Sequence, residues 1–333
     1  MHRTNLIIIL IFMILVSSCK DKTSFSYSTY WWKNNTELNQ AHKMFLSKNK
    51  IKKIYLKIFD LKFDQKNKKI LTPGVKAGFN EKDFNIIPVI YIENSILKNF
   101  KTDTIFNILK NKIKNSLDLE IIKNINFLQI DCDWTLKTKK SYFELLTLLS
   151  NEVDELSATI RLHQIKYHDI TGVPPVKKGV MMIYNLDSPV DTNIENSIFT
   201  LNNAMRYLKK LKEYPIKLDI GLPAFSWGVH YHHGKIKNLI SDFDPKKIIN
   251  KNMYEKKNGY FKSKKAHFYN TYRISKRDEI RYEYPKIPEI KEIINFLSRN
   301  LNQDSTEIIF FSLNSNFLIN NANKYENIIS THN

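Results

Sequence analysis

The chain has 333 residues, of which 42% are hydrophobic, 12% aromatic and 26% charged. These fractions are typical of a globular protein and exclude collagen-like, disordered and multi-span membrane classes. Lys and Arg number 52 against 33 Asp and Glu, which gives a formal net charge of +19. The excess is lysine spread along the whole chain rather than clustered arginine, so a solvated surface is favoured and no nucleic-acid partner is expected.

The N-terminus has the pattern of a secretory signal. Met1-His2-Arg3 precedes an apolar run from Leu6 to Val16, which is too short to span a bilayer as a folded helix. The sequence Val16-Ser17-Ser18-Cys19 resembles the lipobox of bacterial lipoproteins. In that family the signal peptide is cut before the Cys, which then receives lipid.

The lipobox resemblance implies a signal peptide over residues 1–18, lipidation of Cys19 and a tether over residues 19–26. The chain would then be held in the cell envelope by its lipid, and Lys20 favours the outer membrane of a Gram-negative bacterium. The alternative is a plain signal peptide with an incidental Cys. Once Cys19 is lipidated, Cys132 is the remaining thiol, so no internal disulfide is expected and stability must come from a core.

Eight apolar, β-branched runs predict parallel strands, because helical stretches separate them. The runs are Tyr27–Trp32, Lys53–Asp60, Ile86–Ile92, Ile125–Asp131, Leu156–His163, Gly179–Asn185, Ile216–Leu222 and Glu307–Leu313. The amphipathic stretches are Thr36–Ser47, Thr102–Leu117, Lys139–Val153, Ile194–Leu211 and Pro288–Leu301.

This order predicts an α/β fold, a single (β/α)8 TIM barrel over residues 27–320. A long insertion at about residues 225–285 separates strands 7 and 8, and residues 321–333 form a C-terminal tail. The alternative is an open doubly wound sheet, but no Gly-rich phosphate loop follows the first strand.

Enzymes with this fold carry their sites at the C-terminal ends of the strands. Strand alternation points a set of polar side chains into the barrel there: Lys57, Glu93, Asp131, Asp133, Arg161, His163, Tyr184 and Asp219. One interpretation is a buried ion-pair network in which Arg161 bridges to Asp131. The other is a polar pocket whose carboxylates do acid/base or nucleophilic work, as in glycoside hydrolysis.

The segment Phe127-Leu128-Gln129-Ile130-Asp131-Cys132-Asp133-Trp134-Thr135 resembles the fourth-strand D-x-x-D-x-D-x-E motif of the family 18 chitinase and endoglycosidase barrels. Met181-Met182-Ile183-Tyr184-Asn185 is similar to that family's sixth-strand M-x-Y-D motif. The resemblance makes Asp131 and Asp133 the second and third acids of the motif and Tyr184 the substrate-positioning tyrosine. Stretches around Arg161 and Trp227 also resemble uncharacterised bacterial lipoprotein barrels.

The sequence departs from the family 18 motif at three positions. Leu128 replaces the first Asp, Asn185 replaces the sixth-strand Asp, and Thr135 stands in the place of the catalytic Glu. A threonine hydroxyl cannot protonate a glycosidic oxygen at neutral pH, so the family's substrate-assisted mechanism is not expected here. Whether the protein is an enzyme stays open.

Aromatic residues follow several of the predicted strands, and flat rings at a barrel mouth can hold the apolar faces of sugars. These residues are Trp31, Trp32, Trp134, Phe225 and Trp227. The alternative is that the rings cap the barrel core.

Two further patterns lie in the insertion. His230-Tyr231-His232-His233 has a spacing that could ligate a metal, but it is interpreted as a hairpin with exposed histidines, so no metal or other cofactor is expected. Lys256–Lys265 and Arg273–Arg281 form a basic stretch, which is either a solvated surface or attracted to anionic lipid or acidic polysaccharide.

Three functions are therefore open. The leading hypothesis is a glycoside-hydrolase-like enzyme of the envelope with Asp131, Asp133 and Glu93 as catalytic candidates. Its substrate-binding candidates are Trp31, Lys57, Trp134, Arg161, His163, Tyr184, Asp219 and Trp227. The second is a glycan-binding lipoprotein without catalysis, which Thr135 favours. The third is a scaffold subunit of an envelope complex that docks through the insertion.

Overall fold

The structure is a computed structural model that describes residues 23–33, 37–74, 84–118, 125–249, 252–257 and 259–332. In chain order its strands are β1 Ser24–Trp31, β2 Lys53–Asp64, β3 Lys69–Leu71, β4 Asn85–Ile92, β5 Phe127–Asp131, β6 Glu155–Arg161, β7 Lys178–Met182, β8 Lys217–Pro223, β9 Trp227–His232, β10 Lys235–Ser241, β11 Tyr254–Lys257, β12 Tyr260–Ser263, β13 His267–Tyr269, β14 Tyr272–Ile274, β15 Glu279–Glu283 and β16 Ser305–Phe311.

The helices lie mostly between the parallel strands. They are α1 Gln40–Lys48, α2 Asn94–Asn99, α3 Thr102–Asp118, α4 Lys139–Ser150, α5 Leu162–Lys166, α6 His168–Thr171, α7 Leu201–Tyr207 with a 3-10 turn Leu208–Glu213, α8 Lys246–Ile249, α9 Ile287–Asn300, α10 Asn316–Asn320 and α11 Ala322–Thr331. Among the described residues, none of these helices is long and apolar enough to cross a membrane.

Eight of the strands close into a parallel barrel in the order β1-β2-β4-β5-β6-β7-β8-β16. Closure comes from β1, which pairs with β16 over Ser24↔Ser305 to Thr29↔Phe310 and with β2 over Thr29↔Ile54 to Trp31↔Leu56. The predicted (β/α)8 barrel is therefore confirmed, and the open sheet is excluded. All eight predicted strand runs overlap the observed barrel strands.

Two hydrophobic layers hold the barrel. The outward faces of the strands pack with the helices into one large core, which includes Leu56, Ile130 and Ile308. The inward faces form a smaller cluster inside the barrel, centred on Tyr30, Tyr55, Ile87, Val89, Val180 and Ile309. The alternation of in and out along each strand follows from the period of two in a β-strand.

The insertion between β8 and α9 forms a β-rich layer of its own. Its five strands make an antiparallel sheet in the order β10-β9-β15-β12-β11, and β13 pairs with β14 as a separate hairpin. A second core, with Phe243, Tyr269 and Ile280 among its members, lies under the hairpin. The insertion therefore has its own core and starts directly from the C-terminal end of β8.

Three sequence boundaries need correction, and one prediction lies outside the described residues. The expected C-terminal tail forms α11, whose Tyr325, Ile328 and Ile329 are buried against the barrel. Strand β1 begins at Ser24, so residues 24–26 of the expected tether are part of the barrel. The fifth strand run ends at Arg161 rather than His163, because residues 162–166 turn into α5. The signal peptide and Cys19 lie outside the described residues.

Candidate functional site at the barrel mouth

The acidic centre of the candidate site lies at the C-terminal ends of β5 and β6. Asp131 is the last residue of β5, and its Oδ1 accepts a hydrogen bond of 2.6 Å from Oγ1 of Thr159 on β6. Beyond it, Oδ1 of Asp133 lies 3.3 Å from Nη1 of Arg161, with 48% and 40% of these side chains exposed. The ion-pair interpretation expected Arg161 to bridge to Asp131. In the structure Arg161 pairs with Asp133 instead.

The pKa of Asp131 is raised to about 7, chiefly by burial and to a smaller extent by the charge of Asp133, while the hydrogen bond from Thr159 lowers it. The positive charges of Arg161 and Lys57 act in the opposite direction. Desolvation disfavours the charged form of a carboxyl group, which is the physical cause of the rise. Asp131 thus can hold or release a proton near neutral pH, which is the property that general acids and bases need.

The tryptophan at the mouth is Trp32 and not Trp31. Trp31 is fully buried and packs outward against His42 of α1 with ring centroids 5.2 Å apart. Trp32 is partly exposed and joins the inner cluster, edge-on to Tyr30. The Nζ of Lys57 lies 5.3 Å from its ring centroid. The predicted role of Trp31 in substrate binding is therefore corrected. Trp31 faces outward, and Trp32 occupies the inward position at the mouth.

Lys57 is itself buried and forms an ion pair of 2.9 Å with Asp60. It lies inside the barrel between this carboxylate and the Trp32 ring, as its predicted inward position requires. A cation held against an aromatic face can orient polar groups of a ligand that stacks nearby.

The aromatic group at the mouth continues from Trp32 to Phe311 at the end of β16, whose ring centroid lies 5.2 Å from that of Trp32. Tyr184 stacks on Phe311 with centroids 5.0 Å apart and an interplanar angle of 24°. Phe225 packs edge-on against Phe311, and Trp227 packs edge-on against Phe225. The indole Nε1 of Trp227 donates to Glu283 at 2.8 Å. Tyr184 and Trp227 are thus brought to the mouth, with Phe311 and Phe225 between them.

Glu93 lies at the rim but is occupied by local hydrogen bonds. Its two oxygens accept from the Phe63 backbone N–H at 3.2 Å and from the Ser95 hydroxyl at 2.5 Å. These bonds tie the ends of β2 and β4 to the start of α2. These hydrogen bonds give Glu93 a structural role. The structure shows no contact between Glu93 and the Asp131 or Asp133 carboxylate that a shared catalytic role would need.

His163 is placed on α5 rather than on a strand. It is half-buried, and burial and the positive charge of Arg161 lower its pKa, while the charge of Asp133 raises it. His163 therefore lies near the Asp133–Arg161 pair, and it belongs to the helix that follows β6.

Asp219 points into the barrel as predicted but lies at the wrong end of it. Its Oδ2 is 2.7 Å from Nζ of Lys178, the first residue of β7, and its Oδ1 accepts from the Glu307 N–H near the start of β16. Burial raises its pKa, and Lys178 partly offsets this. These contacts close the N-terminal end of the barrel, so the substrate-binding role predicted for Asp219 is corrected to a structural one.

Trp134 is also removed from the mouth. It is 1% exposed and packs against Tyr142 and Phe143 of α4, so its predicted contact with a ligand is corrected. Thr135 is exposed, and its N–H donates to Oγ1 of Thr138 at 2.9 Å. No carboxyl group stands at the position where the resembling family has its acid.

Two histidines of the insertion, His230 and His232, share the carboxylate of Asp278. His230 Nε2 and His232 Nδ1 lie 2.7 and 2.6 Å from the two oxygens of Asp278. The predicted hairpin is confirmed by the pairing of β9 with β10, but His230 is fully buried, whereas His232 is partly exposed and His233 is exposed at the tip. Within the described ranges, no group of three or more His, Cys, Asp or Glu side chains is arranged to hold a metal ion.

The predicted site residues left out Tyr91, Phe311 and Thr159, and Trp32 was named only among the aromatic rings expected at the mouth. Trp32, Tyr91 and Phe311 are partly exposed on the inward faces of β1, β4 and β16, and Thr159 holds Asp131. Asp133 and Asp131 both raise the pKa of Tyr91, after burial, so its ring is near the acidic pair. Strand alternation carried the signal for all four, since each lies two residues from another inward residue.

A separate groove of about 800 Å3 lies on the outside of the barrel. It runs between α3 and α4 and is lined by Thr102, Leu136, Lys139, Phe143 and Pro175 among others. It does not include any predicted site residue.

Comparison with known proteins gives the class of fold. No established family profile and no curated protein matches the sequence. Among solved structures, the Bacillus cereus spore cortex-lytic enzyme SleL is similar with a TM-score of 0.54 and 14% identity, over 92% of this chain and 75% of that one. A chitinase from Chromobacterium violaceum is similar with a TM-score of 0.55 and 8% identity, over 90% of this chain and 98% of that one. The chain thus has a chitinase-like (β/α)8 fold.

Proposed function

We propose that this protein is a carbohydrate-binding barrel of the cell envelope whose ligand lies in the mouth against the continuous ring cluster of Trp32, Phe311 and Tyr184. The observation that carries the proposal is the placement of these rings around the Asp131 and Asp133 carboxylates at the C-terminal ends of the strands. Rings bind the apolar faces of sugars, while the carboxylates and Arg161 can bind hydroxyl groups. The similarity of fold to a chitinase and to a cortex-lytic enzyme supports a carbohydrate ligand.

Binding without hydrolysis is favoured by the state of the carboxylates. Asp133 is paired with Arg161, Glu93 accepts from Phe63 and Ser95, and Thr135 replaces the family's acid. A retaining or inverting mechanism needs two carboxyl groups free for the reacting bond. Among these described carboxylates, Asp131 and Glu93 have no ion pair within 4 Å, and Glu93 already accepts hydrogen bonds at both oxygens.

A second candidate function is glycoside hydrolysis with Asp131 as the acid. The pKa of about 7 favours it, because a proton held at neutral pH could be transferred to a glycosidic oxygen. Asp133 would then have to leave Arg161 and act as base or nucleophile.

The lipid anchor at Cys19 and the outer-membrane location are part of the proposal. Support comes from the lipobox resemblance and from the entry of the chain into β1 at Ser24. Replacement of Cys19 by Ser is expected to abolish incorporation of labelled palmitate and to release the protein from the membrane fraction. Retention of the label in the variant would contradict the lipidation.

The ligand is tested with the chain from Lys20 to Asn333 and a panel of envelope and dietary glycans. Saturable binding is expected, and Trp32→Ala is expected to abolish it. Phe127→Ala is the matched control, because Phe127 is an exposed ring at the N-terminal end of β5. Reducing-end products lost in Asp131→Asn would establish the hydrolase instead. Neither binding nor turnover would favour the scaffold function.

A further inference from the structure

The insertion carries much of the protein's positive charge. Residues 225–285 contain 14 Lys and Arg against 6 Asp and Glu, whereas the rest of the chain contains 38 against 27. Less than a fifth of the chain thus holds about two fifths of the net charge. The lysine bias of the whole sequence does not account for this concentration.

The acidic residues of the insertion are largely taken up by local contacts. Asp278 lies between His230 and His232, and Glu283 pairs with Arg281 at 2.6 Å. Asp242 binds Lys33 and accepts hydrogen bonds from Ser315 and from the Asn316 N–H. These carboxylates therefore do not compensate the exposed cations.

The β13–β14 hairpin shows how the charge is presented. Tyr269 and Ile274 point into the insertion core, with 5% and 0% of their surfaces exposed. Phe268 and Arg273 are register partners on the other face, and Phe268 is 70% exposed. Directly opposed residues in an antiparallel pair lie side by side on one face, so an apolar ring and a guanidinium are displayed together.

Further cations lie beside this hairpin. Nζ of Lys237 on β10 lies 3.5 Å from the carbonyl oxygen of Arg273, and Lys264 and Lys265 precede β13 in the chain. Lys237, Lys264, Lys265 and Arg273 are all exposed, and none has a carboxylate within 4 Å among the residues the structure describes. We call Lys237, Lys264, Lys265, Phe268 and Arg273 the basic face.

We propose that the basic face binds an acidic polysaccharide, as a surface separate from the mouth. The proposal rests on the carbohydrate function proposed above. Clustered unpaired cations attract a polymer with repeated carboxylate or sulfate groups, and the exposed Phe268 ring can stack on a sugar. The insertion starts at the C-terminal end of β8 and contacts the loop after β16 through Asp242, so the basic face belongs to the mouth end of the barrel. This end is opposite to Ser24, where the tether reaches the barrel, which favours a polysaccharide over the anchoring membrane.

The test measures binding of polygalacturonate, neutral dextran and phosphatidylglycerol vesicles to the chain from Lys20 to Asn333. Polygalacturonate is expected to bind, with dextran weaker. The double variant Lys237→Gln/Arg273→Gln is expected to weaken the polygalacturonate complex about tenfold at low salt. Phe268→Ala is expected to weaken it at low and high salt alike, because stacking is not screened.

The matched control is Lys52→Gln/Lys217→Gln, which removes two exposed cations at the N-terminal end of the barrel. An equal loss in this control, or no loss in the basic-face variants, overturns the proposal. Binding of vesicles without polygalacturonate overturns it in favour of a lipid surface. Loss of polygalacturonate binding in Trp32→Ala alone places the polymer in the mouth, which overturns the basic face but leaves the proposed function standing.

Discussion

The hydroxyl of Thr159 donates a 2.6 Å hydrogen bond to Asp131, and this bond joins β5 to β6 at the floor of the mouth. The bond favours the charged carboxylate, yet burial raises the pKa of Asp131 to about 7 despite it. Natural proteins accept such a cost at functional sites, where a stabilising substitution removes activity.

Asp131→Asn is expected to stabilise the protein more at pH 8 than at pH 4. The pKa is raised on folding from 3.8 to about 7, so the folded state is penalised as pH rises above 3.8, and the penalty is complete above about pH 7. Urea unfolding at both pH values measures the difference. Asp154→Asn, at an exposed loop position, is the control. An equal change in the free energy of unfolding at both pH values would show that the charge of Asp131 does not destabilise the folded protein.

Cys132 is expected to be inert in the folded chain from Lys20 to Asn333. Its side chain is 1% exposed, and burial raises the pKa of its thiol well above the usual range. The thiolate is the reactive form, so labelling with a thiol reagent at pH 8 should follow unfolding of the barrel. Rapid labelling in native buffer would contradict this burial.

The buried pair of Arg281 and Glu283 is expected to hold the insertion against the loop after β7. Arg281 also donates to the carbonyl oxygens of Asp191 and Pro189 at 3.0 and 3.1 Å. Arg281→Met leaves Glu283 buried without its cation and should cost about 3–5 kcal/mol in the free energy of unfolding.

Lys262→Met provides the comparison for Arg281→Met, because Lys262 forms a more exposed pair of 3.5 Å with Glu279. Its loss should cost about 0–1 kcal/mol. Urea unfolding followed by tryptophan fluorescence reports both, since Trp227 donates to Glu283. Similar losses for the two variants would refute a special role for the buried pair.

The insertion is expected to lose stability as pH falls below about 6.5. Burial lowers the pKa of His230 against the attraction of Asp278, so the stability that its neutral form contributes is present above the unfolded value of 6.5 and is lost below it. Burial raises the pKa of Asp278, but hydrogen bonds from His232, Ser275 and His230 lower it more, so that its own contribution is lost only at lower pH.

His230→Gln should flatten this dependence between pH 7 and pH 5, measured by thermal unfolding. His233→Gln, at the exposed neighbouring position, should leave it as in the natural sequence. A flat profile in the natural protein would refute the assignment.

Strand alternation predicted the barrel and most inward residues because the period of two is a local property of the chain. Of the residues it predicted to point inward, the structure has Lys57 inside the barrel, Asp131 and Arg161 at the last positions of β5 and β6, and Asp133 and Tyr184 two residues beyond the ends of β5 and β7. The same rule, applied strictly, puts Trp31 and Trp134 on the outer face with Cys132, where the structure has them.

The level of a side chain along the barrel axis could not be predicted from strand alternation. Alternation gives the face of Asp219 but not its level, which depends on the pairing of β8 with β7 and β16. The C-terminal boundary of β6 could not be predicted from alternation either, because His163 continues the alternating pattern although it belongs to α5. The sheet order of the insertion rests on pairings between β9 and β15, about 50 residues apart, which no local pattern carries.

The pairing of β1 with β16 sets the order of assembly. Thr29 and Phe310, 281 positions apart, are register partners, so the barrel cannot close until residue 310 has been made. Contacts of such long separation form slowly, because the loop entropy must be overcome first. A chain that emerges N-terminus first therefore keeps β1 paired on one edge only until β16, Ser305–Phe311, has been made.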